Sequence, residues 1–258
     1  MTNYEHIHVF QEGSIGVIQL NRPEYMNALN RKIVAEVVTQ LEKFDADDSI
    51  RVSIVKGSER TFAAGADIEE MMNESTLSFE LADPFSDWDR FLSIKKPVIA
   101  MVTGFALGGG FELALHCDFI FATENAHFGF PEVNLGVMPG AGGTQLLPRI
   151  IGKRKAMEWI MLGGHMTAKE ADRLGIVNHL VAPERIEDET MRFAKRLANQ
   201  PPIALRLIKE AVNRGEDIPL REGLLLERKN FYIAFDSKDQ KEGMKAFVEK
   251  RKPSFKGE

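Results

Sequence analysis

The sequence predicts an α/β domain that is followed by an all-helical C-terminal region. In the first half of the 258-residue chain, short runs of β-branched residues alternate with amphipathic segments, which is the order of a repeated α/β unit. From about Arg185 onward the strand signals end and only helical periodicity is found. We therefore divide the chain into an α/β core, residues 1–195, and a helical region, residues 196–258.

The elements of the α/β core follow from their hydrophobic patterns. Strands are predicted over Ile15–Leu20, Val52–Lys56 and Val98–Val102, where apolar and β-branched residues are concentrated. A helix is predicted over residues 30–44, because Asn30 is a suitable N-cap and apolar side chains recur at helical spacing behind it. The single apolar face of this helix predicts that it packs against a sheet.

The helical region contains three segments with helical periodicity. They cover residues 187–199, 203–214 and 220–235. Pro201 and Pro202 separate the first two segments, because proline cannot continue the hydrogen bonding of a preceding helix. We expect a hinge or a sharp corner at this position.

Composition and charge exclude several classes of function. A formal net charge of -5 and scattered basic residues provide no field that would attract nucleic acid. No secretory signal and no apolar run of about 18 residues are found, so we expect a cytoplasmic protein that does not bind membranes. The single cysteine, Cys117, cannot form an internal disulfide and is interpreted as a buried core residue rather than a nucleophile.

The first of three segments rich in small residues covers residues 61–68, directly after the strand Val52–Lys56. Small residues allow a ligand to approach backbone N–H groups closely, and Asp67 could cap a short helix. A tight connection that binds nothing is the more usual explanation of such a segment, so the segment alone decides nothing.

The second segment covers residues 104–115 and contains three consecutive glycines before a predicted helix. Backbone N–H groups at the positive end of a helix bind an oxyanion well, whereas the residues of a P-loop or a dinucleotide fingerprint are missing. Glu112 lies in the first turn among apolar residues, where we expect it to be half buried, so burial and the helix terminus shift its pKa in opposite directions. A carboxylate that only compensates the helix dipole is the alternative.

The third segment covers residues 128–144, in which Glu132 follows Pro131 in a predicted loop. Loops on a rigid scaffold commonly hold catalytic side chains, although a solvent-exposed loop glutamate is the ordinary alternative. Adding water to an alkene conjugated with a thioester would use all three segments. Two N–H donors would hold the enolate-like oxygen, and two carboxyl groups would transfer the protons.

At these residues the chain resembles the crotonase, or enoyl-CoA hydratase/isomerase, family, and within it enoyl-CoA hydratase. The similarity runs from about Ile15 to the C-terminus. It implies an oxyanion hole formed by the backbone N–H groups of Ala66 and Gly109, with Glu112 and Glu132 as the catalytic pair. Family members with other activities commonly lack one of these acids. The resemblance therefore implies a lyase that reversibly adds water, in the syn sense, across the 2,3 double bond of a 2-enoyl-CoA to give 3-hydroxyacyl-CoA.

The resemblance also implies the remaining contacts, the assembly and the metabolic role. No cofactor is expected beyond the CoA of the substrate, and the fold is expected to be a spiral of ββα repeats whose helical region forms trimers or dimers of trimers. A role in fatty acid β-oxidation is implied as well. The residues implied in substrate and CoA binding are Glu24, Tyr25, Met26, Ala63, Ala64, Gly65, Ala66, Asp67, Ile68, Gly108, Gly109, Phe231 and Lys250.

Phe130 departs from the family pattern, because well-known short-chain hydratases have glutamine at this position. We expect it to make the substrate pocket more apolar. Two alternative functions stay open: an isomerase that moves a double bond with one glutamate, and a non-catalytic acyl-CoA-binding homologue. No metal site is predicted, because the histidines have no recognisable ligand spacing.

Overall fold

The computed structural model describes residues 4–258, whose strands form a six-stranded and a four-stranded sheet. The larger sheet has the strand order β1-β2-β3-β5-β7-β10 and the smaller one β4-β6-β8-β9. Neighbouring strands are parallel except for the pairs β1–β2 and β8–β9. The strands are β1 (Ile7–Glu12), β2 (Ile15–Leu20), β3 (Val52–Lys56), β4 (Thr61–Ala63), β5 (Val98–Val102), β6 (Phe105–Leu107), β7 (Phe119–Thr123), β8 (His127–Gly129), β9 (His165–Thr167) and β10 (His179–Val181).

Twelve α-helices are found within residues 4–258, and none of them is long and apolar enough to cross a membrane. Three short 3-10 helices, Pro23–Tyr25, Pro131–Leu135 and Pro183–Arg185, complete the regular structure of these residues. The α-helices are α1 (Arg31–Ala46), α2 (Ile68–Met71), α3 (Thr76–Ala82), α4 (Ser86–Phe91), α5 (Gly109–His116), α6 (Gly143–Ile151), α7 (Lys153–Leu162), α8 (Ala168–Arg173), α9 (Ile186–Ala198), α10 (Pro202–Gly215), α11 (Leu220–Phe235) and α12 (Lys238–Val248).

Consecutive strands alternate between the two sheets. In the pairs β3/β4, β5/β6 and β7/β8, the first strand joins the larger sheet and the second joins the smaller one, and helical segments follow each pair. This alternation is the expected spiral of ββα repeats. Because β4, β6 and β8 are parallel neighbours, their carboxyl ends lie side by side at one edge of the smaller sheet.

The secondary structure predicted from the sequence is confirmed in most elements. The three predicted strands are β2, β3 and β5, with the predicted bounds. Helix α1 begins after Asn30, whose Oδ1 accepts the N–H of Ile33 at 2.9 Å. Pro201 is the N-cap and Pro202 the first residue of α10, so the prolines separate α9 from α10 as expected. After β10, only helices are found in the described chain.

Both faces of the larger sheet are covered, which explains why its central strands are apolar almost throughout. On one face, Ile15, Val17 and Ile54 belong to a cluster that includes Ala194 of α9. On the other face, a larger cluster extends through α1 and α5 to the smaller sheet. Cys117 is part of this larger cluster, and burial raises the pKa of its thiol, which confirms that it is a core residue.

A buried ion pair connects the helical region to the α/β core. Nζ of Lys209, on α10, donates to Oδ2 of Asp118 at 2.7 Å and to the carbonyl oxygen of Lys96 at 3.0 Å. The same carboxylate oxygen accepts the N–H of Val98, the first residue of β5, at 2.8 Å. The side chains of Lys209 and Asp118 are only 14% and 17% exposed, so each charge depends on the other.

Replacing Lys209 with methionine is expected to destabilise the fold. The substitution leaves the buried Asp118 carboxylate without a cation, which typically costs about 3–5 kcal/mol when one partner of a buried pair is removed. Urea unfolding followed by circular dichroism measures the change. The matched control is Lys245→Met, which removes a lysine from an exposed pair with Glu249 and is expected to have little effect. Equal stability of the two variants would contradict the structural role of the buried pair.

Candidate active site

The three segments rich in small residues meet at the aligned ends of β4, β6 and β8. Each segment continues directly from one of these strands, so the parallel pairing places them around one cavity of about 250 Å³. The cavity therefore joins residues that are far apart in sequence. The predicted site residues that line it are Ala64, Gly65, Ala66, Ile68, Gly108, Gly109, Glu112 and Glu132.

Two backbone N–H groups face the cavity without an acceptor. A Cβ atom built on Gly109 would lie 3.8 Å from the backbone nitrogen of Ala66, so the two peptide groups are neighbours. Neither the N–H of Ala66 nor that of Gly109 donates a hydrogen bond to any part of the chain that the structure describes. Gly109 is also the first residue of α5, where the helix dipole is positive. Unpaired N–H donors at a helix N-terminus are groups that bind a negatively charged oxygen well.

Glycine is required where the chain approaches itself most closely. Gly108 has φ 50°, and a Cβ on it would lie 2.7 Å from Oε1 of Glu132. A Cβ on Gly110 would lie 2.3 Å from the carbonyl oxygen of Ala63. The absence of side chains at these positions lets α5 begin directly against β4 and beside the Glu132 carboxylate.

Glu112 is more deeply buried than the sequence predicted. Its exposed fraction is 3%, rather than about half, because it lies on α5 among buried apolar residues. Its Oε1 accepts the N–H groups of Ala141 and Gly143, each at 2.8 Å. Burial raises the pKa of Glu112, and the two N–H donors oppose this increase. The second oxygen, Oε2, has no hydrogen-bond partner in the described chain.

Glu132 lies in the 3-10 helix Pro131–Leu135, and the expectation of a loop was wrong at this position. Pro131 begins the helix with a fixed φ, and Gly136 ends it in the left-handed region. Oε2 of Glu132 is buried and has no partner within residues 4–258. Burial raises the pKa of Glu132 to about 7; its own backbone N–H lowers the pKa, and the charge of Glu112 raises it.

Phe130 supports the site from below instead of lining the cavity. The ring is 1% exposed and stacks on Phe111 with the ring centres 4.8 Å apart. It also packs so closely on Gly143 that a Cβ there would lie 2.6 Å from the ring. The expectation of a more apolar pocket wall was therefore wrong, because the side chain points into the core, where it supports the peptide that binds Glu112.

Several residues predicted to bind CoA do not line the cavity of the single chain. Glu24, Tyr25 and Met26 are exposed on and beside the 3-10 helix Pro23–Tyr25, and Phe231 is exposed on α11. Lys250 follows α12 and is also exposed. Their contribution to CoA binding stays a prediction.

Ala63 and Asp67 contact other parts of the chain and do not line the cavity. Ala63 is fully buried in β4. Oδ1 of Asp67 accepts two N–H groups at the start of α2, as predicted, and its Oδ2 pairs with Arg22 at 2.7 Å. Burial raises the pKa of Asp67. Arg22 and the N–H donors together lower it by more, so the net shift is downward. The carboxylate of Asp67 is thus occupied within the chain.

The apolar wall of the cavity was not found from the sequence. Its residues come from α1, from segments around α2 to α4 and from the connection before α6, and no local motif marks them. The wall includes Val34, Met71, Phe79, Pro84, Phe85, Trp88, Leu135, Val137 and Met138. A search of residues 4–258 found no cluster of three or more His, Cys, Asp or Glu side chains that could hold a metal ion.

Comparison with known proteins assigns the chain to a family. The model of the enoyl-CoA hydratase/isomerase family matches residues 11–258. The chain belongs to this family. The crotonase-like fold and the membership expected from the glycine-rich segments are therefore confirmed.

Named relatives cover nearly the whole chain. A protein of Rhizobium meliloti named "Probable enoyl-CoA hydratase" is 48% identical over 98% of this chain and 99% of its own length. A solved structure from Geobacillus kaustophilus HTA426, named "Enoyl-CoA Hydrates Subunit I", is 57% identical with a TM-score of 0.98, and each chain is covered completely. The enoyl-CoA hydratase structure from Bacillus anthracis is 36% identical with a TM-score of 0.92 and covers 98% of this chain and 100% of its own. These matches confirm the expectation of an enzyme.

Gly108→Ala is expected to reduce turnover of an enoyl-CoA substrate about 10²-fold, which is the size of effect that a displacement of about 1 Å can cause. The new methyl group would lie only 2.7 Å from Oε1 of Glu132 and would displace that carboxylate. Steady-state kinetics measure the loss. The control is Gly175→Ala, because Gly175 also has a positive φ, 80°, but its Cβ would meet nothing within 4 Å. Similar kinetic losses in both variants would show that backbone strain, and not displacement of the Glu132 carboxylate, causes the effect.

Proposed function

We propose that the protein is an enoyl-CoA hydratase that adds water across the 2,3 double bond of a 2-enoyl-CoA. The observation that carries this proposal is the presence of two carboxyl groups, Glu112 and Glu132, in one cavity with two unpaired backbone N–H groups. The family membership and the names of the relatives support it. The chemistry requires no cofactor beyond the CoA of the substrate.

The N–H groups of Ala66 and Gly109 bind the thioester carbonyl oxygen of the substrate. As water adds to C3, electron density moves through C2 to this oxygen, which becomes enolate-like. Donors aimed at such an oxygen in a water-poor cavity each lower the barrier by about 3 kcal/mol. They also polarise the double bond, so that C3 becomes electrophilic enough for water to attack.

The two glutamates transfer the protons of the added water. The water oxygen bonds to C3 while Glu112, whose charge is stabilised by two backbone N–H groups, accepts one proton from it. Glu132, whose pKa is raised to about 7, donates its proton to C2 as the enolate collapses. One water is consumed, and transfer of a proton from Glu112 to Glu132 restores the starting state. Addition from the side of the two carboxyl groups gives the syn product.

The presence of both glutamates favours a hydratase over an isomerase. Moving a double bond requires a proton to leave one carbon and return to another, which one carboxyl group can accomplish. Hydration requires a base for water and an acid for carbon. A protein that only binds acyl-CoA would not require two buried carboxyl groups with raised pKa values, which cost folding free energy.

We further propose a homotrimer, or a dimer of trimers, formed through the helical region. Large apolar side chains are exposed there, including Leu220, Phe247 and Val248 at about 80% of their surface each. Such exposure is typical of surfaces that bind another protein. The cytoplasmic location and the role in fatty acid β-oxidation are proposals that rest on the sequence and on the family.

The direct test is to mix the purified protein with crotonyl-CoA and follow the loss of absorbance of the conjugated thioester. Mass spectrometry of the product must show a gain of one water. An isomerised product, or binding without reaction, would contradict the proposal and favour one of the alternatives.

Glu112→Gln and Glu132→Gln are each expected to lower kcat by at least about 10²-fold, because each removes a group that transfers a proton. Binding of the acyl-CoA should persist, which calorimetry with the saturated analogue butyryl-CoA measures. The matched control is Glu184→Gln, since Glu184 also follows a proline in a 3-10 helix but is exposed. Full activity in either active-site variant would refute the paired-acid mechanism.

Hydration is expected to slow as the pH rises above about 7. A raised pKa means that Glu132 keeps its proton at a pH where an ordinary glutamate has lost it, and the proposed acid is lost as the pH passes this pKa. In the free enzyme, kcat/KM should fall about tenfold per pH unit on the basic side. The apparent value belongs to the coupled pair of glutamates. A flat profile between pH 6 and 9 would contradict the assignment of Glu132 as the acid.

A further inference from the structure

Much of the cavity lining outside the two glutamates is apolar. The wall residues nearest α1 to α4 are Val34, Met71, Phe79, Pro84, Phe85 and Trp88. If the protein is an enoyl-CoA hydratase, as proposed above, a substrate held by its thioester would place its acyl tail in this region. The chemistry of these walls therefore bears on the type of tail.

The polar groups at this end of the cavity already have partners, and their net charge is negative. Arg31 pairs with Glu74, and its backbone N–H donates to Glu70 at 3.0 Å, so one cation lies beside two carboxylates. Asn30 is occupied as the N-cap of α1. With Glu112 and Glu132 at the other end, a tail that carries a carboxylate would meet like charges and no unpaired cation within the described lining.

Phe85 contacts the opposite segment of the cavity lining. A Cβ built on Gly140 would lie 2.9 Å from the ring of Phe85, so the ring packs directly on the backbone at Gly140. Both residues line the cavity, and Phe85 is 41% exposed. The volume of about 250 Å³ is slightly below the roughly 300–1,000 Å³ of typical small-molecule pockets, which favours a short tail.

We propose that the substrate carries a short, uncharged hydrocarbon tail and that the contact between Phe85 and Gly140 limits its length. The apolar walls stabilise a tail of this kind by removing its surface from water. A terminal carboxylate is rejected because its desolvation is not compensated by any partner. Phe85 is thus a specificity-determining residue that takes no part in proton transfer.

The charge part of the proposal is tested with two substrates of equal length. These are 2-hexenoyl-CoA and 2-hexenedioyl-CoA, which differ only in the terminal carboxylate. For the unmodified enzyme, kcat/KM is expected to be at least about 10²-fold higher for the uncharged substrate, as for other groups buried without a partner. Equal values, or a preference for the diacid, would overturn the proposal and leave the hydratase function intact. No hydration of crotonyl-CoA or of either six-carbon substrate would instead refute the proposed function.

The length part is tested with Phe85→Ala, assayed with crotonyl-CoA and 2-decenoyl-CoA. Opening the wall should raise the ratio of kcat/KM for decenoyl-CoA to that for crotonyl-CoA by about tenfold or more, since single methylene groups shift specificity by this amount. Phe10→Ala is the matched control, because Phe10 is similarly exposed, at 44%, and lies outside the cavity lining. An unchanged ratio in a folded Phe85→Ala variant would overturn the role of Phe85.

Phe85→Leu provides a second variant in case the alanine variant does not fold, which its thermal unfolding curve reveals. Leucine keeps an apolar side chain over Gly140 but shortens it, so the ratio should shift in the same direction by a smaller factor. The individual constants also separate a specificity effect from general damage. A changed ratio of kcat/KM for the two substrates indicates specificity, whereas an equal loss for both leaves the ratio unchanged. An unchanged ratio in a folded leucine variant would likewise overturn the assignment.

Discussion

The parallel pairing of β4, β6 and β8 is the constraint on which the whole site depends. Each strand is only three residues long, yet each ends where a segment of the cavity begins. The pairing brings the N–H of Ala66, the start of α5 and Glu132 to one edge of a sheet. Close approach at Gly108 and Gly110 is what allows these segments to lie directly against each other. Without the strand pairing, nothing would hold these three segments together.

Within this frame, different surroundings give two chemically identical side chains different properties. Glu112 is the more deeply buried of the two, but two backbone N–H groups stabilise its charged form. Glu132 has a buried oxygen without a partner and lies near the charge of Glu112, and its pKa is raised to about 7. Two carboxyl groups held in unequal environments can serve as base and acid in one reaction. The core supports this inequality, since Phe130 packs under Gly143, which donates to Glu112.

The apolar wall of the cavity is formed by other elements than the reaction centre. The reaction centre uses backbone groups at strand ends, whereas the apolar wall is assembled from side chains of α1 and of the short helices α2 to α4. These helices belong to one ββα repeat, and their connections can vary without disturbing the sheets. In the proposed function, the reaction chemistry and the substrate preference are thus carried by separate parts of the chain, and a fold of this kind can serve different substrates.

The sequence by itself determined much of the local structure and singled out the two glutamates that the structure places in one cavity. Strands β2, β3 and β5 and the Asn30 cap follow from patterns of neighbouring residues, which is why they were predicted with their bounds. Only the tertiary structure decided how deeply Glu112 is buried, that Phe130 points into the core and that Phe85 packs on Gly140. These properties depend on contacts such as that of Glu112 with Gly143, 31 residues away in the chain. Local periodicity contains no information about such contacts, because they form only when the sheets have assembled.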